Sequence, residues 1–335
     1  MSHANFNKLT KHYWIWPIAW DLFLGALGGG ILALVAIFDF VYRSGVMGVT
    51  EAPLPEVGAI FAVATFVAVA ALAIASAMLI FELGQPMVFY RVFLSGTAVI
   101  KYGAVAIMLS VVFGFVYFLF YLPPEWNLFY YGWTWLRDIC CFLMMITGIC
   151  VMLYTGLLLS SMKAKPFWNT PVLPVLFVVS GFAMAASCMA ITAGIWPATA
   201  FGFDQAIIAY FVGHLHAIAA ICLAGTFITL LIYILLQYGA GNQTARKVAI
   251  RWIKGQFALG FWGGVVVLGV VLPFMFFLTG GMAAEIVAPI LVVAAGLLMR
   301  FLIVYSDDRQ AIPGEERFWS RMPDPHDKFL TAWKK

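Results

Sequence analysis

The chain has 335 residues, of which 64% are hydrophobic and only 10% are charged, and its formal net charge is +4. Because a soluble domain carries about 25% charged residues, this composition excludes a water-soluble globular protein and indicates a polypeptide embedded in lipid. A hydrocarbon core of about 30 Å requires about 20 apolar residues per helix, so the length is best divided into helical spans.

Eight apolar runs, separated by Pro, Gly or charged residues, predict eight transmembrane helices. The predicted spans are residues 17–42, 57–82, 97–122, 136–162, 171–195, 206–238, 256–279 and 283–305. Residues 1–16 form a polar and aromatic lead-in, where we expect no cleaved signal peptide. Residues 306–335 form a polar tail, which is either an arm over the basic face or a disordered segment.

Basic residues are distributed very unequally between the two ends of these spans. Of the 19 Lys and Arg residues, seventeen fall on one side when Arg300 is counted with the tail, and only Arg43 and Arg137 fall on the other. The positive-inside rule therefore predicts that both termini are cytoplasmic. Four acidic residues lie near the less basic face, where we expect ordinary solvation: Asp39, Asp138, Asp204 and Glu285.

The first span carries an acidic residue, Asp21, in a stretch rich in glycine. Asp21, Gly25 and Gly29 are spaced by four and share one helix face, and the two glycines allow another helix to approach closely. A charged group at the centre of a span costs roughly 2.5–3.5 kcal/mol and is a functional hypothesis by default. Asp21 lies beneath a ring of tryptophans that includes Trp16. Its carboxylate either forms a structural hydrogen bond to a neighbouring helix, or it serves as a polar ligand or proton carrier. We favour the second role.

Two further polar groups point towards the same basic face. Glu82 ends the second span and either forms an ion pair with Arg91 or Lys101 or handles protons. Tyr154 belongs to a stripe on the fourth span formed by Thr147, Cys150, Tyr154, Leu158 and Ser161. Its phenol can donate a hydrogen bond either to a neighbouring helix or to a ligand carbonyl.

The convergence of Asp21, Glu82 and Tyr154 from three spans indicates a site for a flat redox ligand. Such a ligand requires an apolar slot with a few placed polar groups. A quinone also exchanges two protons when it is reduced or oxidised, which gives a carboxylate beside the slot a chemical task. The sequence therefore predicts a quinone site, with Asp21, Glu82 and Tyr154 as its reacting groups and Asp21 and Glu82 transferring protons.

The sequence offers no signature for a bound metal, cluster or haem. Its five cysteines lie in apolar runs without the C-x-x-C spacing of cluster or c-type haem sites. His214 and His216 project from nearly opposite faces of the sixth span and cannot ligate one haem together. One of them either relays protons or hydrogen-bonds within the bundle, and His214 is the candidate for proton transfer.

Three segments resemble the NrfD-like, or PsrC-like, family of membrane subunits of polysulfide reductase and related respiratory complexes. They are the glycine-rich Trp20 to Leu32, the turn Glu82-Leu83-Gly84-Gln85-Pro86, and the run from Tyr154 to Pro171. The last is the most specific, with Y-T-G-L-L-L-S-S followed by P-F-W-N-T-P. Glu82 and Gln85 depart from the Asp and Arg of the family turn, which places any role of that turn in doubt.

The resemblance implies an all-α integral membrane protein of eight transmembrane helices in two four-helix bundles, without metal, haem or iron–sulfur cluster. Residues 17–165 would form the first bundle, with the quinone site, and residues 166–305 the second. Members exchange electrons between menaquinone or ubiquinone and a ferredoxin-like four-cluster iron–sulfur subunit, which is wired to a molybdopterin or multihaem catalytic subunit. Carried onto this sequence, the quinone site comprises Trp16, Asp21, Gly25 and Tyr154.

The sequence thus favours the membrane subunit of a respiratory oxidoreductase complex, in the cytoplasmic membrane, with membrane lipids around it and no nucleic-acid partner. Two alternatives remain open, namely a secondary transporter or proton-conducting protein, and a passive membrane anchor. The candidate site lies on the face that the charge count places in the cytoplasm, whereas many relatives serve partners outside the membrane. Either this protein has a cytoplasmic partner, which we favour, or its basic loops serve docking and the positive-inside rule does not give the orientation.

Overall fold

The eight predicted spans are confirmed, with boundaries that differ from the predictions by at most five residues. The computed structural model describes residues 16–43, 57–82, 90–94, 99–122, 133–193, 195, 205–239 and 241–310. In these residues all regular structure is helical, and eight helices are long and apolar enough to cross a membrane. The spans are Trp16–Arg43, Ala62–Glu82, Val99–Leu119, Thr134–Ser160, Val172–Thr192, Gln205–Gly239, Leu259–Thr279 and Ala283–Val304.

Short helices accompany the spans. Val57–Ile60 precedes the second span, Arg91–Leu94 precedes the third, and Gln243–Lys254 lies between the sixth and the seventh. The sixth span is one continuous helix of 35 residues, about 52 Å long at 1.5 Å per residue. The protein is therefore an integral membrane protein.

Glycines on the first span allow three neighbouring helices to approach its backbone. A methyl group at Gly28 would lie 2.9 Å from the carbonyl oxygen of Ala68 on the second span, and one at Gly29 would lie 2.6 Å from that of Gly148 on the fourth. At Gly30 the corresponding distance to the carbonyl oxygen of Gly181 on the fifth span is 3.0 Å. The predicted close approach along the Gly25–Gly29 face is thus confirmed, and the fourth span makes it.

The first four spans pack against one another, and the fifth to eighth spans form a second group. The fifth span also contacts the first and fourth spans, and the eighth contacts the first. One apolar core accordingly includes residues of both groups, such as Ile31, Met184 and Val270. The two groups are joined by packed side chains rather than by a flexible linker.

The seventh and eighth spans each begin with a π-helical segment that the sequence did not predict. Leu259–Val271 and Ala283–Val287 are π-helical, and each continues as an α-helix. Within the first of these segments, a methyl group at Gly269 would overlap Ala295 of the eighth span. Regular π-helical segments of this length are rare.

The end of the bundle that carries most of the basic residues is closed by the loop after the fourth span, the helix Gln243–Lys254 and residues 305–310. Buried Trp168 donates to the carbonyl oxygen of Ile303 at 2.8 Å, and buried Trp252 donates to the hydroxyl of Ser306 at 2.7 Å. Lys165 forms an ion pair with Asp307 at 3.3 Å. The first residues of the predicted polar tail, up to residue 310, are therefore held against this loop, whereas the remainder lies outside the described residues.

Candidate functional site

Asp21 faces the fourth span from the interior of the bundle. Its side chain is only 3% exposed, although it lies five residues from the start of the first span. One turn further along the same face, a methyl group at Gly25 would lie 3.2 Å from the side chain of Thr155 on the fourth span. The first span therefore presents its carboxylate to the helix that carries the most specific family motif.

Tyr154 lies on that helix and is held between the third and fourth spans. Its side chain is 4% exposed, and its ring fills the space that a side chain at position 103 of the third span would need. The phenol oxygen is buried without a hydrogen-bond partner among the residues that the structure describes. A buried phenol normally finds a partner, so this oxygen is available to bond a group other than the described residues.

Asp21 and Tyr154 are both buried, and the spans that carry them meet where Gly25 approaches Thr155. Both side chains lie inside the bundle rather than towards lipid, whereas the predicted convergence with Glu82 falls outside the described residues and stays a prediction. Together they offer one carboxylate and one unbonded phenol in an otherwise apolar environment. This combination matches the chemistry that a quinone carbonyl requires, namely a hydrogen-bond donor and a nearby proton-exchanging group.

The other predicted members of the site have different surroundings. Trp16 begins the first span and is 51% exposed. Gly25 is covered by Thr155, so its observed contact is with a neighbouring helix, and its contact with a ligand stays a prediction. The second span ends at Glu82, but the side chain of Glu82 and the whole of Gln85 lie outside the described residues.

His214 does not lie beside Asp21. Its ring nitrogen Nδ1 is 2.9 Å from the carbonyl oxygen of Tyr210, and one turn earlier Phe211 packs against Phe38, with ring centroids 6.1 Å apart. Asp21 precedes Phe38 by seventeen residues, which places His214 about 20 Å from Asp21 along the first span. A proton-transfer role for His214 would therefore belong to another part of the bundle.

The predicted polar stripe on the fourth span is only partly correct. Thr147 and Tyr154 are buried, but Cys150 is exposed and Ser161 lies at the exposed helix end. An ideal helix turns 100° per residue, and the interval of three between Thr147 and Cys150 moves the thiol towards the outside. Thr155, next to Tyr154, is the buried polar residue that faces the first span instead.

A second buried polar cluster lies at the opposite end of the first span, and here the expectation of ordinary solvation was wrong for Asp39. Asp39 is 1% exposed and accepts hydrogen bonds from Arg43 Nε at 3.1 Å and from the thiol of Cys141 at 3.3 Å. Arg43 also pairs with Asp138, which accepts a bond from Arg137 at 2.9 Å. The spacing of Asp39 and Arg43 by four was the available sequence signal for an ion pair on one helix face.

No group of three or more His, Cys, Asp or Glu side chains in the part of the protein that the structure describes is arranged to hold a metal ion. The five cysteines are all free thiols.

Comparison with known proteins agrees with this architecture. The family model described as "Polysulphide reductase, NrfD" matches residues 4–308. The C polypeptide of polysulfide reductase from Wolinella succinogenes is 29% identical over 321 residues, which are 88% of this protein and 93% of the relative. Protein NrfD of Escherichia coli is 25% identical over 330 residues, covering 91% of this protein and 97% of the relative. Because the family model spans nearly the whole sequence, the resemblance read from the sequence is confirmed, and the protein belongs to the NrfD family of membrane proteins.

Proposed function

We propose that this protein is the membrane subunit of a respiratory oxidoreductase complex and exchanges electrons between the quinone pool and an iron–sulfur partner subunit. The observation that carries the proposal is the buried phenol of Tyr154, which has no hydrogen-bond partner among the described residues and belongs to the span that meets the buried Asp21 face of the first span. Leaving a buried polar group unbonded costs about 1–3 kcal/mol. A ligand carbonyl at this position would remove that cost.

Each residue of the site has a distinct task in this proposal. Tyr154 donates a hydrogen bond to a carbonyl oxygen of the quinone, and Gly103 provides the space that fixes the orientation of its ring. Asp21 accepts or delivers protons at the same end of the slot. The quinone, menaquinone or ubiquinone, supplies the two-electron redox chemistry when it is bound, while the surrounding apolar side chains exclude water.

The partners follow from the family and from the chemistry of the protein. The Wolinella succinogenes relative is by its name one polypeptide of a larger enzyme, and we propose the same for this protein. A ferredoxin-like four-cluster subunit would carry electrons between the quinone and a molybdopterin or multihaem catalytic subunit. The Asp21–Tyr154 pair lies near the end of the first span, so the iron–sulfur subunit is proposed to dock at that end, on the cytoplasmic side of the cytoplasmic membrane.

The proposal is tested with the purified complex carrying Asp21→Asn or Tyr154→Phe. Both substitutions should lower quinone-linked turnover at least tenfold, because each removes one polar group from the reacting end of the ligand. Activity of the catalytic partner with a soluble dye should stay unchanged. Tyr117→Phe is the matched control, since Tyr117 is a buried tyrosine of the same helix group near Asp39 rather than Asp21. Wild-type quinone turnover in both site variants would refute the assignment.

A further inference from the structure

The helix Gln243–Lys254, which joins the sixth span to the seventh, has one buried apolar side and one exposed basic side. The buried side, which packs on the basic end of the bundle, is formed by Ala245, Val248, Ala249 and Trp252. The exposed side carries Arg246, Lys247, Ile250 and Lys254. Arg246, Ile250 and Lys254 follow one another at intervals of four and therefore share one helix face. We call this element the basic helix.

Three of the four cations on the basic helix have no negative partner among the residues that the structure describes. The helix itself contains no acidic residue. Arg251 forms an ion pair with Asp308. No described carboxylate lies within 4.0 Å of the charged groups of Arg246, Lys247 and Lys254. Three positive charges are therefore available to a ligand on a helix of only twelve residues.

Arg300, which the sequence assigned to the same basic face, does not reach this surface. It is fully buried, and its Nη1 lies 3.2 Å from the carbonyl oxygen of Gly296, one turn earlier on the eighth span. The side chain thus turns away from the nearby helix end, whereas a snorkelling arginine would reach towards it. Counting Arg300 with the basic tail was therefore wrong, and it adds no charge to the exposed side of the basic helix.

The first cation of the basic helix lies over an apolar row of the sixth span. The guanidinium carbon of Arg246 is 5.2 Å from the centre of the ring of Tyr238, in the last turn of that span. Tyr238, Leu235 and Leu231 are all exposed and lie about one turn apart, so they share one helix face. Because the sixth span crosses the membrane, this exposed row contacts acyl chains. Tyrosine is enriched at the level of the lipid headgroups, which places Arg246 at that level.

The last cation of the basic helix adjoins a second apolar surface. Lys254 ends the helix, and Leu259, the first residue of the seventh span, is 85% exposed. Trp262 is also exposed, and its indole nitrogen donates to the carbonyl oxygen of Ile253 at 3.1 Å. This bond joins the basic helix to the start of a membrane span. An acidic protein docked on the cations alone would leave these apolar side chains uncovered, whereas a phospholipid covers both.

We propose that the basic helix binds an anionic phospholipid from the leaflet on its own side of the membrane. Arg246 bonds the lipid phosphate, a group that suits the forked guanidinium donors. Lys247 and Lys254 attract the negative headgroup, as basic residues beside a membrane span do. The acyl chains lie along the exposed row below Tyr238. The site shares no residue with the Asp21–Tyr154 site and does not depend on quinone exchange.

The test measures lipid binding to the purified full-length protein by native mass spectrometry, with phosphatidylglycerol and phosphatidylcholine of identical acyl chains. The wild type should bind phosphatidylglycerol at least about tenfold more tightly. Arg246→Gln should weaken that binding about fivefold, the change expected for one cation near a lipid surface, and the triple variant R246Q/K247Q/K254Q should lose the preference. The matched control is Lys101→Gln, a cation of the third span in the first group of helices, which should bind both lipids like the wild type.

Three outcomes would overturn the proposal. The first is equal binding of the two lipids by the wild type, or a preference that persists in the triple variant. The second is displacement of phosphatidylglycerol by an equal concentration of glycerol phosphate, which would show a site for free phosphate rather than for lipid. The third is a triple variant that keeps its lipid preference but loses a partner subunit during purification, which would show that the basic helix docks an acidic protein.

Discussion

Replacement of Gly103 by alanine should disable the candidate quinone site without touching any reacting group. A methyl group at this position would overlap the ring of Tyr154, far inside the 3.0 Å that real Cβ atoms keep from their neighbours. The ring is rigid and buried between two helices, so it has to leave its place. Inserting a methyl group into a packed core costs about 1–3 kcal/mol, and the displaced phenol can no longer point into the site.

We therefore expect Gly103→Ala to lower quinone-linked turnover at least as much as Tyr154→Phe, with dye-linked activity of the partner preserved. Gly213→Ala is the matched control, because Gly213 is also helical and nothing lies within 4 Å of a methyl group there. Its thermal midpoint should stay unchanged or rise slightly, since alanine favours helix by up to about 1 kcal/mol. Comparison of the two variants separates the effect of the clash from that of the alanine itself.

A double-mutant cycle identifies the clash as the cause. Leucine at position 154 lacks the outer ring atoms, so Gly103→Ala should destabilise the Tyr154→Leu protein less than the wild type. The expected coupling free energy is about 0.5–3 kcal/mol, measured from thermal or denaturant unfolding in detergent. Additive effects of the two substitutions, or normal quinone turnover in Gly103→Ala, would refute the placement of the Tyr154 ring.

Three further predictions concern stability, each read from unfolding of the purified protein. Asp39→Asn should lower the free energy of unfolding by about 3 kcal/mol, because it removes one member of a buried ion pair. Asp138→Asn, at a half-exposed carboxylate, should lower it by at most about 1 kcal/mol. Equal losses in the two variants would contradict the observed burial. Gly148→Ala should lower the free energy of unfolding by at least about 2 kcal/mol, because its methyl group would lie 2.5 Å from the backbone oxygen of Gly29. An unchanged unfolding midpoint would contradict the close contact between the first and fourth spans. Burial lowers the pKa of Lys165 from 10.5 to about 8, so the folded state binds this proton less tightly than the unfolded state. The stability of the wild type relative to Lys165→Met should therefore be constant below about pH 8 and rise from there to about pH 10.5; a difference that falls with pH would reverse the sign.

The sequence predicted the spans and the first-span interface because both follow from local patterns. Long apolar runs interrupted by polar residues fix the span boundaries, and the spacing of Asp21, Gly25 and Gly29 by four fixes which face meets another helix. The burial of Asp21 and Tyr154 followed from the same helical geometry. For these features, the periodicity of the α-helix and the apolar environment of the membrane were sufficient information.

Features that depend on tertiary packing escaped prediction. Arg300 lies near the end of an apolar run, where snorkelling is the ordinary expectation, but packing against Phe177 and Ser180 of the fifth span turns its side chain inward. The burial of Asp39 depends on the approach of the fourth span with Cys141. The π-helical start of the seventh span likewise has no local sequence pattern that distinguishes it from an ordinary helix.

The contacts of Gly28, Gly29 and Gly30 determine how far neighbouring helices can move relative to the first span. At each position a carbonyl oxygen of a neighbouring helix lies within 3.0 Å of the place where a Cβ atom would stand, so little room is left between the helices to absorb a displacement. A shift of the second, fourth or fifth span along the first would bring backbone atoms into collision. This part of the bundle is consequently rigid in the direction of the membrane normal, and adjustment to the proposed quinone would be left to side-chain rotation.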